Sequence, residues 1–170
     1  MAQQTLETER LRLRAIEDSD IDALHRLWTE PAVRKYLWDD VVISRSTVEE
    51  IVESSDRDFE RLGFGLFALE LRNAPDELIG FCGLRPMDGG PETELMYALL
   101  PAHWSQGLAS EASQRVLRYG FEECGLTRIV GATDTPNHRS ARVLQRLGMT
   151  FEERRVYKGL DTVFYSLSAS

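Results

Sequence analysis

The sequence has few cysteines and no long apolar run. Of its 170 residues, two are cysteines, Cys82 and Cys124, and their separation favours neither a disulfide framework nor a CxxC zinc site. We expect both thiols to be reduced and buried. No apolar stretch reaches the roughly 18 residues that a membrane-spanning helix requires, and the polar residues 1–9 lack the apolar core of a secretion signal. These absences predict a cytoplasmic protein without a membrane partner.

Positive charge is scarce as well. Lys and Arg together number 20 against 28 Asp and Glu, which gives a formal net charge of −8 at pH 7 and a pI near 5.0. Binding to a nucleic-acid backbone needs a continuous basic surface, so nucleic acid is not an expected partner. An acidic surface would suit a cationic substrate such as an amine, but solubility explains the same charge. Net charge alone therefore does not identify the substrate.

Motifs of several common enzyme classes are missing. The chain has no GxxxxGK[ST], GxSxG or HExxH, and its three histidines lack the mutual spacing of metal ligands, so no metal site is predicted. Residues 63–68, GFGLFA, match GxGxxA, but they follow a predicted helix and open a predicted strand. A dinucleotide-binding fingerprint has the reverse order, so we interpret these glycines as a helix stop and a turn.

The composition that is present fits one globular domain, which we expect over residues 1–170 with a core at about 9–168. Hydrophobic periodicity predicts seven strands and four helices in the order β-α-α-β-β-β-α-β-α-β-β. The strands are predicted near 10–15, 65–71, 78–84, 93–100, 127–133, 149–157 and 162–167, and the helices near 19–28, 46–62, 106–124 and 137–147. Because crossover helices occur only in the second half, we expect an α/β fold with a mixed sheet and helices on both faces.

One helix start is a candidate anion site. A strand ends at Leu100 and Pro101, a short loop follows, and residues 106–110, QGLAS, open a long helix. The first amides of a helix lack internal partners and carry the positive end of its dipole, and Gly107 permits close approach of a ligand. On physical grounds alone, an ordinary helix start with small residues is the stronger explanation.

Two longer runs resemble a known family. Residues 94–112, ELMYALLPAHWSQGLASEA, resemble the acetyl-CoA motif of the GCN5-related N-acetyltransferases (the GNAT family), and look closest to the RimJ/RimL-like branch that acetylates N-termini of ribosomal proteins. Residues 137–149, NHRSARVLQRLGM, resemble that branch's NxxSxRVLxxLG(F/M) motif. With residues 9–14 as the usual first strand, the resemblance covers nearly the whole chain. Ser105 departs from it, because a Gly or Arg is common there.

The resemblance implies a GNAT-like acyl-CoA N-acyltransferase fold, whose central strand splays from its neighbour near residues 98–100. It also implies acetyl-CoA as co-substrate, with the pantetheine arm bonded to the freed amides of Leu99 and Leu100, which would also stabilise the oxyanion. Asn137 would cap its helix and touch the pantetheine. The pyrophosphate would meet the backbone amides of Gln106, Gly107, Leu108, Ala109 and Ser110.

The implied activity is direct transfer of the acetyl group to a primary amine within a ternary complex. The amine must lose a proton, and Glu94 is the candidate base, with a solvated strand end beside Glu92 as the alternative. Many relatives protonate the leaving thiolate with a tyrosine at the position that Leu144 occupies here. We assign that contact with the sulfur to Ser140, for which a locally bonded helix-turn hydroxyl is the alternative.

The acceptor stays open among a ribosomal-protein N-terminus, another peptide and a small molecule. The aromatic residues Tyr36, Trp38 and Phe64 lie near loops and are candidate walls of the acceptor site, although core packing is the commoner role of such side chains. A CoA-binding domain without catalysis and a scaffold without cofactor are the competing interpretations. The oligomeric state is undecided, and a homodimer is one alternative.

Overall fold

The computed structural model describes residues 4–170, and Met1, Ala2 and Gln3 of the polar N-terminal segment lie outside the described residues. The described chain forms eight β-strands and five α-helices. In chain order these are β1 (Thr5–Glu7), β2 (Leu11–Ala15), α1 (Ile21–Thr29), α2 (Pro31–Leu37), α3 (Arg45–Leu62), β3 (Leu66–Leu71), β4 (Gly80–Pro86), β5 (Thr93–Leu99), α4 (Leu108–Glu122), β6 (Arg128–Asp134), α5 (His138–Arg146), β7 (Thr150–Tyr157) and β8 (Leu160–Ser168).

All eight strands form one mixed sheet in the order β1-β2-β3-β4-β5-β6-β8-β7. Neighbouring strands are antiparallel except β5 and β6, which are parallel. β5 pairs with β4 along its whole length, whereas its pairing with β6 is limited to Glu94 opposite Val130. The sheet is therefore open between β5 and β6 beyond this point, which confirms the predicted splay of the central strand.

Helices cover both faces of the sheet, as expected from the order of elements. On one face, α1 and α3 contribute Leu24 and Val52 to a buried cluster that also holds Phe81 of β4. On the other face, Val116 of α4 and Leu144 of α5 belong to a second buried cluster. Burial of such side chains is the main stabilising contribution, because each removes apolar surface from water.

Two elements were not predicted from the sequence. β1 pairs with β2, with Leu6 opposite Leu13, and so adds an eighth strand to the seven expected. α2 begins at Pro31, where a loop was expected; proline is tolerated there because the first helical N–H has no intrahelical partner. Within residues 4–170, no helix has the length and apolar character to cross a membrane, and no cluster of His, Cys, Asp or Glu is placed to hold a metal ion.

The ends of α3 show how local sequence sets a helix. The side chain of Ser44 caps its start by accepting a hydrogen bond from the N–H of Thr47 at 3.2 Å, so the helix begins at Arg45, one residue before the predicted start at 46. The helix ends at Gly63 in the left-handed conformation (φ 85°), which agrees with the predicted stop.

Candidate functional site

A cavity of about 600 Å³ opens where β5 and β6 part. It is lined by β5, by the first turns of α4 and α5, by α2 and by the turn between β7 and β8. Alternate residues of β5 face opposite sides of the sheet: Tyr97 packs against the cluster beneath α4 and α5, whereas Met96 and Ala98 pack against the cluster beneath α1 and α3. The cavity therefore has one wall from each face of the sheet.

Backbone groups of β5 point into the opening. The N–H of Leu100 donates to the carbonyl of Ile79 at 2.8 Å, so this amide is committed to the β4 side, and the prediction that it binds the pantetheine is wrong. Because hydrogen-bonding direction alternates along an antiparallel ladder, the N–H groups of Leu99 and Tyr97 turn away from β4 toward the opening. The carbonyl of Leu99 accepts a bond from the indole of Trp104 at 2.8 Å.

The start of α4 differs from the starts of α3 and α5. Gly107, at the N-cap of α4, has a left-handed backbone (φ 79°), and no side chain of the described chain caps this helix. At α5, the side chain of Asn137 accepts the N–H of Ser140 at 3.3 Å, as predicted for a capping residue. The first amides of α4 therefore retain their hydrogen-bonding capacity for a ligand.

The predicted run 106–110 occupies this uncapped start. Ala109 lines the cavity, and the side chain of Leu108 is buried beneath it. Leu108 and Ala109 can therefore offer a polar ligand only their backbone amides.

A polar network from the turn between β1 and β2 holds the same helix start. Arg10 donates from Nε to Glu111 at 2.8 Å, from its backbone N–H to Glu111 at 3.0 Å, and from Nη1 to the carbonyl of Gln106 at 2.9 Å. The hydroxyl of Thr8 also donates to Glu111. Burial acts to raise the pKa of Glu111, but these hydrogen bonds outweigh it and lower that pKa. Sequence reasoning missed this network, because Arg10 had the pattern of an exposed strand residue.

Ser140 meets a tyrosine that sequence reasoning did not single out. The Tyr97 hydroxyl lies 2.8 Å from Oγ of Ser140 and donates to the Ser140 carbonyl at 3.2 Å, and both residues line the cavity. Burial raises the pKa of Tyr97, so its hydroxyl stays protonated at neutral pH and serves as a hydrogen-bond donor. The signal in the sequence was its position in β5, two residues from Leu95 and Leu99, on the side that faces α5.

Glu94 lies at the other wall of the cavity and is not a lone carboxylate. Nε of Arg85 lies 2.8 Å from its Oε1, and its side chain is 13% exposed. The ion pair compensates for the cost of burying this charge. Glu92, in contrast, is half exposed and binds Arg128 at 3.2 Å. A solvated strand end therefore describes Glu92 but not Glu94.

The predicted aromatic walls separate into two groups. Tyr36 and Trp38, from α2 and the residue that follows it, line the cavity. Phe64 does not: it is 4% exposed and packs in the core beneath α4. Its position directly after the Gly63 helix stop made it resemble a loop residue, but the chain enters the sheet there.

The cavity also contains a carboxylate without a partner. Asp134 ends β6 and lines the cavity, and no hydrogen bond or ion pair connects its side chain to the rest of the described chain. Burial and the nearby charge of Asp39 raise the pKa of Asp134. Lys158, which also lines the cavity, has a partner and lies 2.8 Å from Asp88.

Comparison with known proteins identifies the family. A family model described as an acetyltransferase (GNAT) domain matches residues 10–150. A Bacillus licheniformis protein named uncharacterized N-acetyltransferase p20 is 34% identical over 175 residues, which covers 96% of each chain. The crystal structure of an acetyltransferase from Agrobacterium tumefaciens matches with a TM-score of 0.87 at 24% identity, over 99% of this chain and 96% of its own. RimL, a ribosomal L7/L12 alpha-N-protein acetyltransferase in complex with coenzyme A, matches with a TM-score of 0.81 at 22% identity, over 97% of this chain and 98% of its own. The chain therefore belongs to the GNAT family of acetyltransferases.

Proposed function

We propose that the protein transfers the acetyl group of acetyl-CoA directly to a primary amine. The observation that carries the proposal is the uncapped start of α4, which lies beside the opening between β5 and β6. An anionic ligand with an extended polar arm suits both features, because the helix start favours negative charge and the open strand edge offers backbone donors. Family membership and the coenzyme A complex of RimL support the same ligand.

The residues present fit acetyl-CoA. The amides of residues 107–110 would hold the pyrophosphate, and the amides of Tyr97 and Leu99 would bind the pantetheine arm, with Asn137 beside it. When bound, acetyl-CoA supplies an activated thioester whose acetyl group is the group transferred. Glycine is favoured at position 107, because the positive φ angle there would strain a residue that carries a Cβ.

In this proposal Glu94 prepares the amine. An alkylammonium must lose a proton before its nitrogen can attack a carbonyl carbon, and a carboxylate within reach of the amine, directly or through one water, can accept that proton. Arg85 donates a hydrogen bond to Oε1 of Glu94 and so fixes the direction of its oxygens. Glu94 lies on the wall opposite Tyr97 and Ser140, so proton removal and thiolate protonation occur on opposite sides of the opening.

Ser140 is the group we assign to the sulfur. Its hydroxyl would donate to the departing thiolate, while the Tyr97 hydroxyl bonds to Ser140 and limits the directions that the serine proton can take. Leu144, which occupies the position of the usual tyrosine acid, is 1% exposed and packs in the core. The neighbouring hydroxyl pair of Tyr97 and Ser140 offers hydrogen bonds on this side of the cavity.

We infer that the acceptor arrives as a cation. Asp134 offers an unpaired carboxylate at the acceptor end, near the aromatic side chains of Tyr36 and Trp38, and such a combination favours an ammonium group. The name of the RimL neighbour supports the N-terminus of a ribosomal protein as one such acceptor, and another peptide or a small-molecule amine has the same chemistry.

A thiol-release assay with acetyl-CoA tests the proposal. The amine panel would contain peptides with free N-termini, diamines and neutral amines, with the same amines already acetylated as controls. We expect release of CoA thiol that depends on a free cationic amine. The competing function, CoA binding without catalysis, is favoured by the leucine at position 144. Tight CoA binding with no transfer to any amine would support that function and contradict ours.

A further inference from the structure

The guanidinium of Arg10 is bonded at two of its nitrogens to the segment that opens α4. Nε binds the side chain of Glu111 and Nη1 binds the backbone carbonyl of Gln106. The third nitrogen, Nη2, lies 3.5 Å from the point where a Cβ on Gly107 would be. β2 begins at the next residue, Leu11, so the guanidinium is anchored to the sheet on one side and to the turn on the other.

The bond to the Gln106 carbonyl fixes one peptide plane. In a planar trans peptide, the C=O of one residue and the N–H of the next point in opposite directions. With the Gln106 carbonyl directed at Arg10, the N–H of Gly107 is directed away from it. No backbone hydrogen bond of the described chain outside its helices and strands uses that N–H, so it is free for an acceptor.

The bonds to Glu111 also prevent its carboxylate from occupying the anion site at the start of α4. Glu111 lies in the first turn of α4, where a free carboxylate would compete with an incoming anion for the positive end of the helix. Thr8 and Arg10 instead direct both carboxylate oxygens toward the first two strands. Arg10 also supplies a compensating positive charge.

We propose that Arg10 is a positioning residue for the pyrophosphate of the cofactor, an inference that rests on the proposed function. It orients the N–H of Gly107 toward the ligand and removes the repulsion from Glu111. Its effect on binding should therefore depend on the charged part of CoA, and it should not extend to the pantetheine arm, which lies against β5.

Arg72 provides a matched control. Its side chain is 51% exposed, against 44% for Arg10, and it also ties the segment before β2, donating from Nη1 to the carbonyl of Thr8 at 3.0 Å. Within residues 4–170, no hydrogen bond or ion pair of the Arg72 side chain reaches the start of α4. Loss of either arginine removes bonds at the same strand edge, but only the loss of Arg10 frees the Gln106 peptide.

The test is calorimetric titration of CoA and of pantetheine, which lacks the pyrophosphate and nucleotide, into the intact protein. We expect Arg10→Met to weaken CoA binding about tenfold and to leave pantetheine binding unchanged, since charge-assisted bonds at the phosphate site are lost. Arg10→Lys retains the charge, but one ammonium cannot span both Glu111 and Gln106, so we expect about threefold weakening. Arg72→Met should bind both ligands like the unaltered protein. Circular dichroism and melting curves would accompany each variant.

Each contrary result has a distinct meaning. Unaltered CoA affinity in Arg10→Met would overturn the inference and leave the proposed function standing. Equal losses for CoA and pantetheine would show that Arg10 only maintains the fold. Full affinity in Arg10→Lys would show that charge suffices and would contradict the role of the Gln106 carbonyl. If the unaltered protein bound no CoA, the proposed function itself would fail.

Discussion

The two ends of the cavity are built in different ways. At the end proposed to bind the cofactor, the groups that face the opening are backbone amides of α4 and β5, and Arg10, Thr8 and Glu111 form hydrogen bonds behind them. At the end proposed to bind the acceptor, the groups are side chains of α2, of the turn between β7 and β8, and of Asp134, whose carboxylate has no partner within residues 4–170. The binding groups of the first end are set by secondary structure, and those of the second end are set by individual side chains.

In the proposed function, this difference separates the binding of the cofactor from the selection of the acceptor. Backbone donors at a helix start and a strand edge do not change when side chains are substituted, so a common cofactor can be held by them. Acceptor recognition rests on side chains that a single substitution alters. We therefore expect substitutions at the cofactor end to change CoA affinity, and substitutions at the acceptor end to change amine selectivity.

The largest effect on turnover is expected from substitution of the proposed base, Glu94. Glu94→Gln keeps the shape of the side chain and removes the base, so turnover should fall about a hundredfold in a thiol-release assay, while CoA affinity stays within about twofold. Glu92→Gln, in the exposed neighbour, should leave turnover unchanged. An unaltered rate in Glu94→Gln would remove this carboxylate from the mechanism.

The next largest effect is expected on CoA affinity, from a substitution at Gly107 that strains the backbone. Gly107→Ala places a Cβ on a residue with φ 79°, and the strained turn would shift the amides that are proposed to bind the pyrophosphate. The CoA affinity measured by calorimetry should therefore fall about twentyfold. Gly125→Ala carries the same kind of strain at φ 70°, in open space at the end of α4. Both variants should lose stability, but only the first should lose CoA binding. Parallel losses of CoA binding in the two would contradict a local role for Gly107.

The hydroxyl pair should give a smaller effect, on turnover. Ser140→Ala and Tyr97→Phe each remove one partner of the 2.8 Å contact, and we expect about tenfold slower transfer with little change in the KM for acetyl-CoA. The double variant should be no slower than Ser140→Ala, because Tyr97 acts through the serine. Multiplicative losses would show that the two hydroxyls act separately.

The smallest effect is expected at the acceptor end. Asp134→Asn should raise the KM for cationic amines about fivefold and leave neutral amines unchanged, because only the ionised carboxylate attracts an ammonium. For the unaltered protein, the KM should rise as pH falls through the raised pKa of Asp134. Equal changes for cationic and neutral amines would contradict this role.

The effect of Asp134→Asn can also be measured as a change in stability. Because the pKa of Asp134 is higher in the folded chain than in the unfolded chain, the folded chain binds more protons between the two values, and stability falls as pH rises through that window. Asp134→Asn should therefore raise the melting temperature at pH 7. Asp161→Asn should lower it, since hydrogen bonds from Arg154 lower the pKa of Asp161 and its stabilising contribution is present at neutral pH.

Local signals in the sequence predicted the parts of the fold that depend on them. Gly63 ends α3 and Asn137 caps α5 as expected, because backbone conformation and capping chemistry are properties of a few adjacent residues. The helix at Pro31 was missed, since proline is as typical of a loop as of a first helical turn. The strand β1 was missed because three residues carry too little periodicity.

The site was predictable where its groups belong to one segment. The run 106–110 and the segment that begins at Asn137 were recognised as sequence motifs, and the structure brings both to the same opening. Arg10, Tyr97 and Asp134 were missed because their partners are distant in sequence or absent. Leu100 was misassigned, since the register between β4 and β5 decides which amide is free.

The most direct test of the central claim is a titration of the 15N-labelled protein with CoA, followed by amide chemical shifts. We predict that the largest changes occur at the amides of residues 107–110 and at Leu99, and that pantetheine reproduces the change at Leu99 but not those at the start of α4. Shifts confined to other regions, or no shifts at residues 107–110 at saturating CoA, would contradict the account.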